Sequence, residues 1–206
     1  MAELENPKVM RRMVRILSSL LENLAESNER EARPRVASVF HGLTRPAISV
    51  QQYLERIFKY ANCSPCCLVV AYVYLDRFSR RQPSLPINTF NVHRLLIASV
   101  LVAVKFMDDI YYNNAYYAKV GGISTAEMNF LEVDYLFGLG FDLSISPTTF
   151  YDYYNNLLGR LASSKCPRGI EPCPVLPESS PGRGLLGSQE GGAEDRDFSC
   201  RVSLCT

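Results

Sequence analysis

The segment Leu95-Leu-Ile-Ala-Ser-Val-Leu-Val-Ala-Val-Lys-Phe-Met107 decides how this chain of 206 residues folds. Only Ser99 and Lys105 are polar within it. It is too short to span a bilayer, which needs about 20 apolar residues. A helix that is apolar on nearly all sides belongs at the centre of a helical bundle. The sequence therefore predicts a buried central helix over Phe90–Asp108, with one positive charge close to its end.

Amphipathic helices are predicted on both sides of this central helix. Asn6-Pro7, followed by apolar residues at helical spacing, indicates a first helix that ends near Arg30 and either packs on the bundle or reaches towards a partner. Further helices are predicted from Ser49, over Cys66–Phe78, within Tyr111–Tyr117, after the capping box Ser124-Thr-Ala-Glu127, and from Ser146-Pro147 to Gly159. No segment shows the alternation of a strand. The predicted fold class is therefore all-α.

Residues 160–206 differ in composition from the rest of the chain. They hold five of the twelve prolines, six of the twelve glycines and four of the seven cysteines, and they lack apolar periodicity. Such a segment cannot bury enough apolar surface to offset the entropy cost of ordering. We expect three parts: an N-terminal helix and linker (1–33), a helical bundle (34–159) and a disordered tail (160–206).

Charge and composition give little support to several classes of function. The net charge is +1 without a basic stripe, so we expect no nucleic acid or membrane partner. The first 30 residues carry charges throughout and resemble no signal peptide, which favours an intracellular protein, in the nucleus or the cytoplasm. No catalytic or nucleotide-binding motif appears. We therefore expect no enzyme activity, no cofactor and no small-molecule substrate.

Two short motifs offer weak signs of a metal or redox site. Cys63-Ser-Pro-Cys66 has the C-x-x-C spacing, but no second such pair follows it, and the chain has only two histidines. Asp108-Asp109 could supply ligands to a hard cation, yet such sites recruit several more oxygen atoms. We expect buried thiols, a solvated helix end and no metal.

The order of several motifs over more than a hundred residues resembles the cyclin family. The motifs are Tyr74-Leu-Asp-Arg-Phe78, Ala98-Ser-Val-Leu-Val-Ala-Val-Lys-Phe-Met-Asp-Asp109, Glu127-Met-Asn-Phe-Leu-Glu132 and Leu139-Gly-Phe-Asp-Leu143. Phe40-His-Gly-Leu-Thr-Arg-Pro46 and Ser49–Tyr60 are similar to plant U-type (P-type) cyclins and to the yeast phosphate-signalling cyclin. The resemblance implies a single cyclin box, a bundle of five helices, flanked by the N-terminal helix.

The resemblance also implies a binding surface for a cyclin-dependent kinase. In cyclins, a lysine of the third helix and a glutamate of the fifth grip the main chain near the regulatory helix of the kinase. The matching positions here are Lys105 and Glu132. We expect Phe106, Asp109 and Tyr135 to contribute to the same exposed surface.

One part of the family pattern is absent from this chain. In cyclins the aspartate that matches Asp76, beside Arg77, pairs with an arginine of an M-R-x-I-L-x-x-W motif on the first helix of the box. Here Ala47 falls near that arginine and Tyr53 takes the place of the tryptophan. We therefore expect Asp76 to pair with another residue, such as Arg56. The groove that binds basic-hydrophobic substrate motifs in the family is in doubt.

The sequence therefore predicts a non-catalytic regulatory subunit that binds and activates a cyclin-dependent serine/threonine kinase as a heterodimer. Its expected role is in cell-cycle or nutrient-linked signalling. The alternative is a cyclin-fold adaptor that binds a protein other than a kinase.

Overall fold

Residues 6–30 and 38–159, which the computed structural model describes, form seven α-helices and no strand. The helices are α1 (Pro7–Arg30), α2 (Val50–Tyr60), α3 (Cys66–Arg81), α4 (Val92–Met107), α5 (Asn114–Gly121), α6 (Thr125–Leu139) and α7 (Pro147–Gly159). The all-α prediction is confirmed. The predicted disordered tail lies outside the described residues.

Helix α4 occupies the centre of the bundle, as its composition predicts. Helices α2, α3, α5 and α6 all contact it. Every residue from Leu95 to Val104 is buried. The one polar residue of that stretch, Ser99, donates its hydroxyl hydrogen to the Leu96 carbonyl oxygen at 2.8 Å, so this buried hydroxyl is satisfied within the helix. Towards the carboxyl end, Lys105 and Phe106 are only half-buried.

Capping residues fix where the helices begin and end. Ser124 and Glu127 form the predicted capping box at the start of α6, and Ser49 forms a second one with Gln52 at the start of α2. Gly140 ends α6 in the left-handed region, with φ of 61°, where a residue without a Cβ is favoured.

Helix α1 packs on the bundle. Met13, Leu17 and Leu21 of α1 are buried, and α1 contacts α2 and α7. The Glu22 carboxylate accepts a hydrogen bond from the Val50 amide at 3.2 Å. Since the first amides of a helix lack partners within it, this contact satisfies one of them at the start of α2.

Helix α6 approaches α3 closely at Gly138. The ring of Phe78 lies where a Cβ at position 138 would be, and it stacks on Tyr135 with ring centroids 4.8 Å apart. Phe40 meets the Phe78 ring edge-on at 5.3 Å. The Phe78 ring is therefore enclosed and has little room to move aside.

We expect Gly138→Ala to destabilise the fold by about 1–3 kcal/mol, the usual cost of overpacking a core. The added methyl group would overlap Phe78, and this cost outweighs the better helix propensity of alanine. Urea unfolding of both proteins measures the difference. Gly159→Ala is the matched control, because nothing lies within 4 Å of that position, and its stability should change by less than about 0.5 kcal/mol. Equal stability of Gly138→Ala and wild type would contradict the packing argument.

Candidate protein-binding site

Lys105 and Glu132 form an ion pair at the edge of the bundle. The Nζ of Lys105 on α4 lies 2.6 Å from Oε1 of Glu132 on α6. The two side chains are 28% and 16% exposed, so both reach the surface without standing free in water. A lysine can lay its methylene stem along apolar surface and keep its charge at the edge, which explains how a charge fits on a buried helix. The sequence predicted that these residues share one face, and the structure brings them into contact.

A second side chain holds the other oxygen of Glu132. The amide nitrogen of Asn114, the first residue of α5, donates to Oε2 of Glu132 at 2.7 Å. The same nitrogen donates to the Asn129 side-chain oxygen at 2.8 Å. The sequence predicted a short helix within Tyr111–Tyr117 but gave Asn114 no role. The only available signal was that Asn113 could cap α5 and so place Asn114 on the first turn.

The structure places two of the three neighbouring predicted residues at the surface. Asp109 is exposed and Phe106 is half-buried. Tyr135 is fully buried, stacked on Phe78, and burial raises the pKa of its hydroxyl. The prediction that Tyr135 belongs to the exposed surface is wrong, because its ring fills the space between α6 and α3 and no partner can reach it without disrupting the core.

Helix α6 also exposes large apolar side chains that the sequence analysis did not select. Phe130, Val133 and Phe137 are 65%, 50% and 68% exposed, and Phe141 just after the helix is 57% exposed. Phe137 and Phe141 touch edge to face at 5.2 Å. Clustered exposed apolar side chains, unlike isolated ones, mark a surface that contacts another molecule. These four residues, Phe130, Val133, Phe137 and Phe141, form an apolar stripe along the outer side of α6 and just after it, whereas Glu132 faces α4 and α5.

Asp76 and Arg77 hold α3 to the end of the bundle. Asp76 accepts from Arg80 at 2.8 Å and from the Tyr153 hydroxyl of α7. The predicted Asp76–Arg56 pair is wrong, since Arg56 donates instead to the Lys119 carbonyl oxygen at 3.0 Å.

Arg77 and its neighbour Arg81 both reach Asp142 in the turn between α6 and α7. Arg77 donates to the Asp142 carbonyl oxygen at 2.9 Å, and Arg81 contacts the Asp142 carboxylate at 2.9 Å. Asp76, Arg77 and Arg81 therefore join α3 to α7 and to the turn before it, which is a structural role.

Asp108 is not solvated at a helix end, contrary to expectation. It accepts from the Ser64 amide at 2.9 Å and from the Ser64 hydroxyl, and so satisfies the start of α3. The thiols of Cys66 and Cys67 join this group, and their sulfur atoms and the Asp108 carboxylate lie within 4.8 Å of one another.

The geometry of this group is that of a hydrogen-bonded helix start. The Ser64 hydroxyl lies 3.1 Å from the sulfur of Cys66 and 3.3 Å from that of Cys67. A hydrogen bond with Cys63, then burial and the charge of Asp108, raises the pKa of the Cys67 thiol well above its usual range.

The segment where the family's docking motif would lie lines a cleft of about 270 Å³. Residues 45–50, Glu22 and Glu26 of α1, and His93 of α4 border it. Tyr53, at the position of the motif's tryptophan, is buried and donates its hydroxyl hydrogen to the Gly121 carbonyl oxygen at 3.0 Å. Tyr53 is therefore part of the core, and no large aromatic face is offered to a ligand there.

The architecture is a bundle of helices that carries a partly exposed ion pair between α4 and α6 and exposed apolar side chains on the outer side of α6. The family model for cyclins matches residues 8–143, from α1 to just beyond α6. The chain therefore belongs to the cyclin family. Cyclins are regulatory proteins, so the predicted regulatory role is confirmed at this level.

Plant relatives support the finer resemblance. Cyclin-U4-1 of Arabidopsis thaliana is 70% identical over 161 residues, which cover 76% of this chain and 80% of that protein. Cyclin-P4-1 of Oryza sativa subsp. japonica is 56% identical over 167 residues, which cover 78% and 79%. Cyclin-U1-1 of Arabidopsis thaliana is 43% identical over 147 residues, which cover 69% and 70%. The predicted likeness to plant U-type and P-type cyclins is confirmed. Within the described residues, no helix is both long enough and apolar enough to cross a membrane.

His93, beside the cleft, is a titratable residue that the fold largely encloses. Its Nε2–H donates to the Ile48 carbonyl oxygen at 2.9 Å, while its buried Nδ1 finds no partner among the described residues. Burial lowers the pKa of His93 below its usual value, with the contact to Ile48 acting in the other direction.

We expect stability to fall as the pH drops below about 6.5, because the unfolded chain then binds a proton at His93 more readily than the folded chain does. His93→Gln keeps a donor for Ile48 but does not titrate, so it should lack this part of the acid loss. Urea midpoints at about pH 7.5, 6.5 and 5.5 measure the effect, with His41→Gln as the control that keeps it. An acid loss in His93→Gln equal to that of wild type would overturn the assignment.

Proposed function

We propose that this cyclin binds and activates a cyclin-dependent serine/threonine protein kinase through the surface around Lys105 and Glu132. The observation that carries the proposal is the partly exposed ion pair between α4 and α6, with its two charged groups 2.6 Å apart. The resemblance to cyclins assigns both positions to kinase binding. The following physical features of the pair support the same role.

The pair keeps hydrogen-bonding capacity for a partner. A lysine ammonium group has three donors, and a carboxylate accepts at about four positions. Among the described residues, Lys105 donates to Glu132, while Glu132 accepts from Lys105 and Asn114. The remaining donors and acceptors suit the carbonyl oxygens and amide hydrogens of a main chain, which is what the resemblance assigns to this pair.

The pair is also ordered before binding. Long side chains lose about 0.5–1.5 kcal/mol each when an interface immobilises them. Here the contacts on Glu132 hold it between α4, α5 and α6, so part of that cost is met on folding. The affinity for a partner is higher because these side chains already have their binding conformation before the partner arrives.

Apolar side chains on the same two helices offer further contact area. Phe106 follows Lys105 on α4 and is half-buried, and Phe137 and Phe141 are exposed on the outer side of α6 and just after it. Asp109 adds an exposed charge at the end of α4. Signalling interfaces bury on the order of 2,000 Å², so a kinase bound here would cover these residues together with a wider surface around them.

Activation follows from the architecture of kinases. A kinase is active when its regulatory helix is swung in, so that the glutamate on it pairs with the lysine that grips the phosphates. A rigid bundle that binds only the swung-in state shifts the population of conformers towards it. In this mechanism the cyclin supplies no catalytic group. A role in cell-cycle or nutrient-linked signalling, in the nucleus or the cytoplasm, belongs to the same proposal.

We expect the double variant Lys105→Glu plus Glu132→Lys to remain folded but to lose capture of cyclin-dependent kinases by at least about tenfold. The reversal preserves an attractive pair within the cyclin, yet it presents a carboxylate to kinase carbonyl oxygens and an ammonium group to kinase amides. Pull-down and titration against a panel of purified cyclin-dependent kinases, with circular dichroism for folding, measure the outcome.

The control is the reversal of Glu26 and Arg30, an exposed pair 3.6 Å apart on α1. It should leave both folding and kinase capture unchanged. Capture that survives the reversal of Lys105 and Glu132 would move the kinase interface elsewhere. A wild-type chain that captures no kinase would favour an adaptor that binds another protein.

A further inference from the structure

Side chains from two different helices donate hydrogen bonds to the carboxylate of Glu132. Lys105 of α4 donates to Oε1 at 2.6 Å, and Asn114 of α5 donates to Oε2 at 2.7 Å. A carboxylate on a flexible side chain can rotate while a single partner follows it. Two partners from separate elements, one on each oxygen, fix its direction.

The amide of Asn114 is turned so that it acts as a donor. Its nitrogen faces two acceptor oxygens, those of Glu132 and Asn129, while its own buried Oδ1 finds no partner among the described residues. Turning the amide over would place an oxygen against two oxygens. The structure therefore keeps the contact with Glu132 at the expense of an unsatisfied acceptor, which buried amides rarely tolerate.

Asn114 is not needed to start α5. The preceding residue, Asn113, already caps the helix, because its side-chain oxygen accepts from the Tyr116 amide at 3.1 Å. The side chain of Asn114 is left to reach across to α6. Its contacts with Asn129 and Glu132 join α5 to α6 beside the ion pair.

We propose that Asn114 is a positioning residue for partner binding: it orients Glu132 so that the pair with Lys105 is preformed when the kinase arrives. This inference rests on the proposed function for its partner, and on the geometry of the unbound chain for its mechanism. Asn114 need not touch the kinase, since its effect passes through Glu132.

A double-mutant cycle tests this role. Asn114→Ala should weaken kinase binding about tenfold, the usual effect of losing a hydrogen bond to a charged group. In a Glu132→Ala background, the same substitution should weaken binding by less than about twofold, because the side chain it acts through is gone. Equal losses in both backgrounds would show a merely structural role and overturn the proposal.

A second variant, Asn114→Asp, distinguishes a loss of the hydrogen bond to Glu132 from a loss of folding. An acidic residue on the first turn suits the helix dipole and the shape is unchanged, yet the donor is replaced by an acceptor that repels Glu132. It should fold as wild type and weaken binding at least as much as Asn114→Ala. Asn129→Ala is the matched control, because it removes the other acceptor of the same nitrogen and leaves Glu132 in place; its affinity should stay within about twofold.

A readout without the kinase separates the two proposals. Three-bond side-chain couplings measured by NMR on the unbound chain report whether Glu132 keeps one rotamer. We expect one rotamer in wild type and averaging in Asn114→Ala. An unchanged rotamer would overturn the positioning role whatever the kinase does. A wild-type chain with a fixed rotamer and no affinity for any cyclin-dependent kinase would refute the proposed function instead.

Discussion

A helix that is apolar on nearly every side has to be enclosed by other helices, and the single charge near its carboxyl end has to reach the surface. In α4 both demands are met, because ten consecutive residues, Leu95 to Val104, are buried and Lys105 emerges at the edge of the bundle. Enclosure recruits α2, α3, α5 and α6 around α4. Because the Lys105 ammonium group must reach the surface, the carboxyl end of α4 stays uncovered, and the Glu132 carboxylate of α6 pairs with it there. The position of the candidate site is therefore a consequence of how the core closes.

Helix α6 serves the core and the surface at once. Leu131 and Tyr135 point into the bundle, while Phe130 and Phe137 on the same helix are more than half exposed. A helix that had only to cover a core would carry polar residues on its outer face. Exposed apolar surface is tolerated in a folded monomer when a partner covers it. The conflict between α6 and the ordinary amphipathic pattern thus coincides with the surface that we assign to binding.

The same property of α6 limited what sequence could predict. The ends of the helix followed from local chemistry, since Ser124 and Gly140 cap it as expected. Which side of the helix faces the core was harder to predict, because apolar residues lie on nearly all sides of α6. Tyr135, assigned to the surface from the sequence, is buried. Glu132 was placed with Lys105 through the family resemblance, and the structure shows the two in contact.

Partners of polar residues were the least predictable feature, for a related reason. Asp76 accepts from Tyr153 on α7, and Asp108 accepts from Ser64, which lies 44 residues earlier in the sequence. Each choice depends on where helices distant in sequence come to rest, which no local pattern contains.

An ion pair that is already satisfied might be thought a poor site for binding, because its charges attract each other. The opposite holds when the pair lies at an edge. The exposed fractions of Lys105 and Glu132, 28% and 16%, mean that much of their desolvation cost is incurred on folding. A partner then needs to displace little water and to order little side chain. The hydrogen bond from Asn114 completes this arrangement. With Lys105 as its only partner, the Glu132 carboxylate could still rotate, and the contact with Asn114 prevents this rotation.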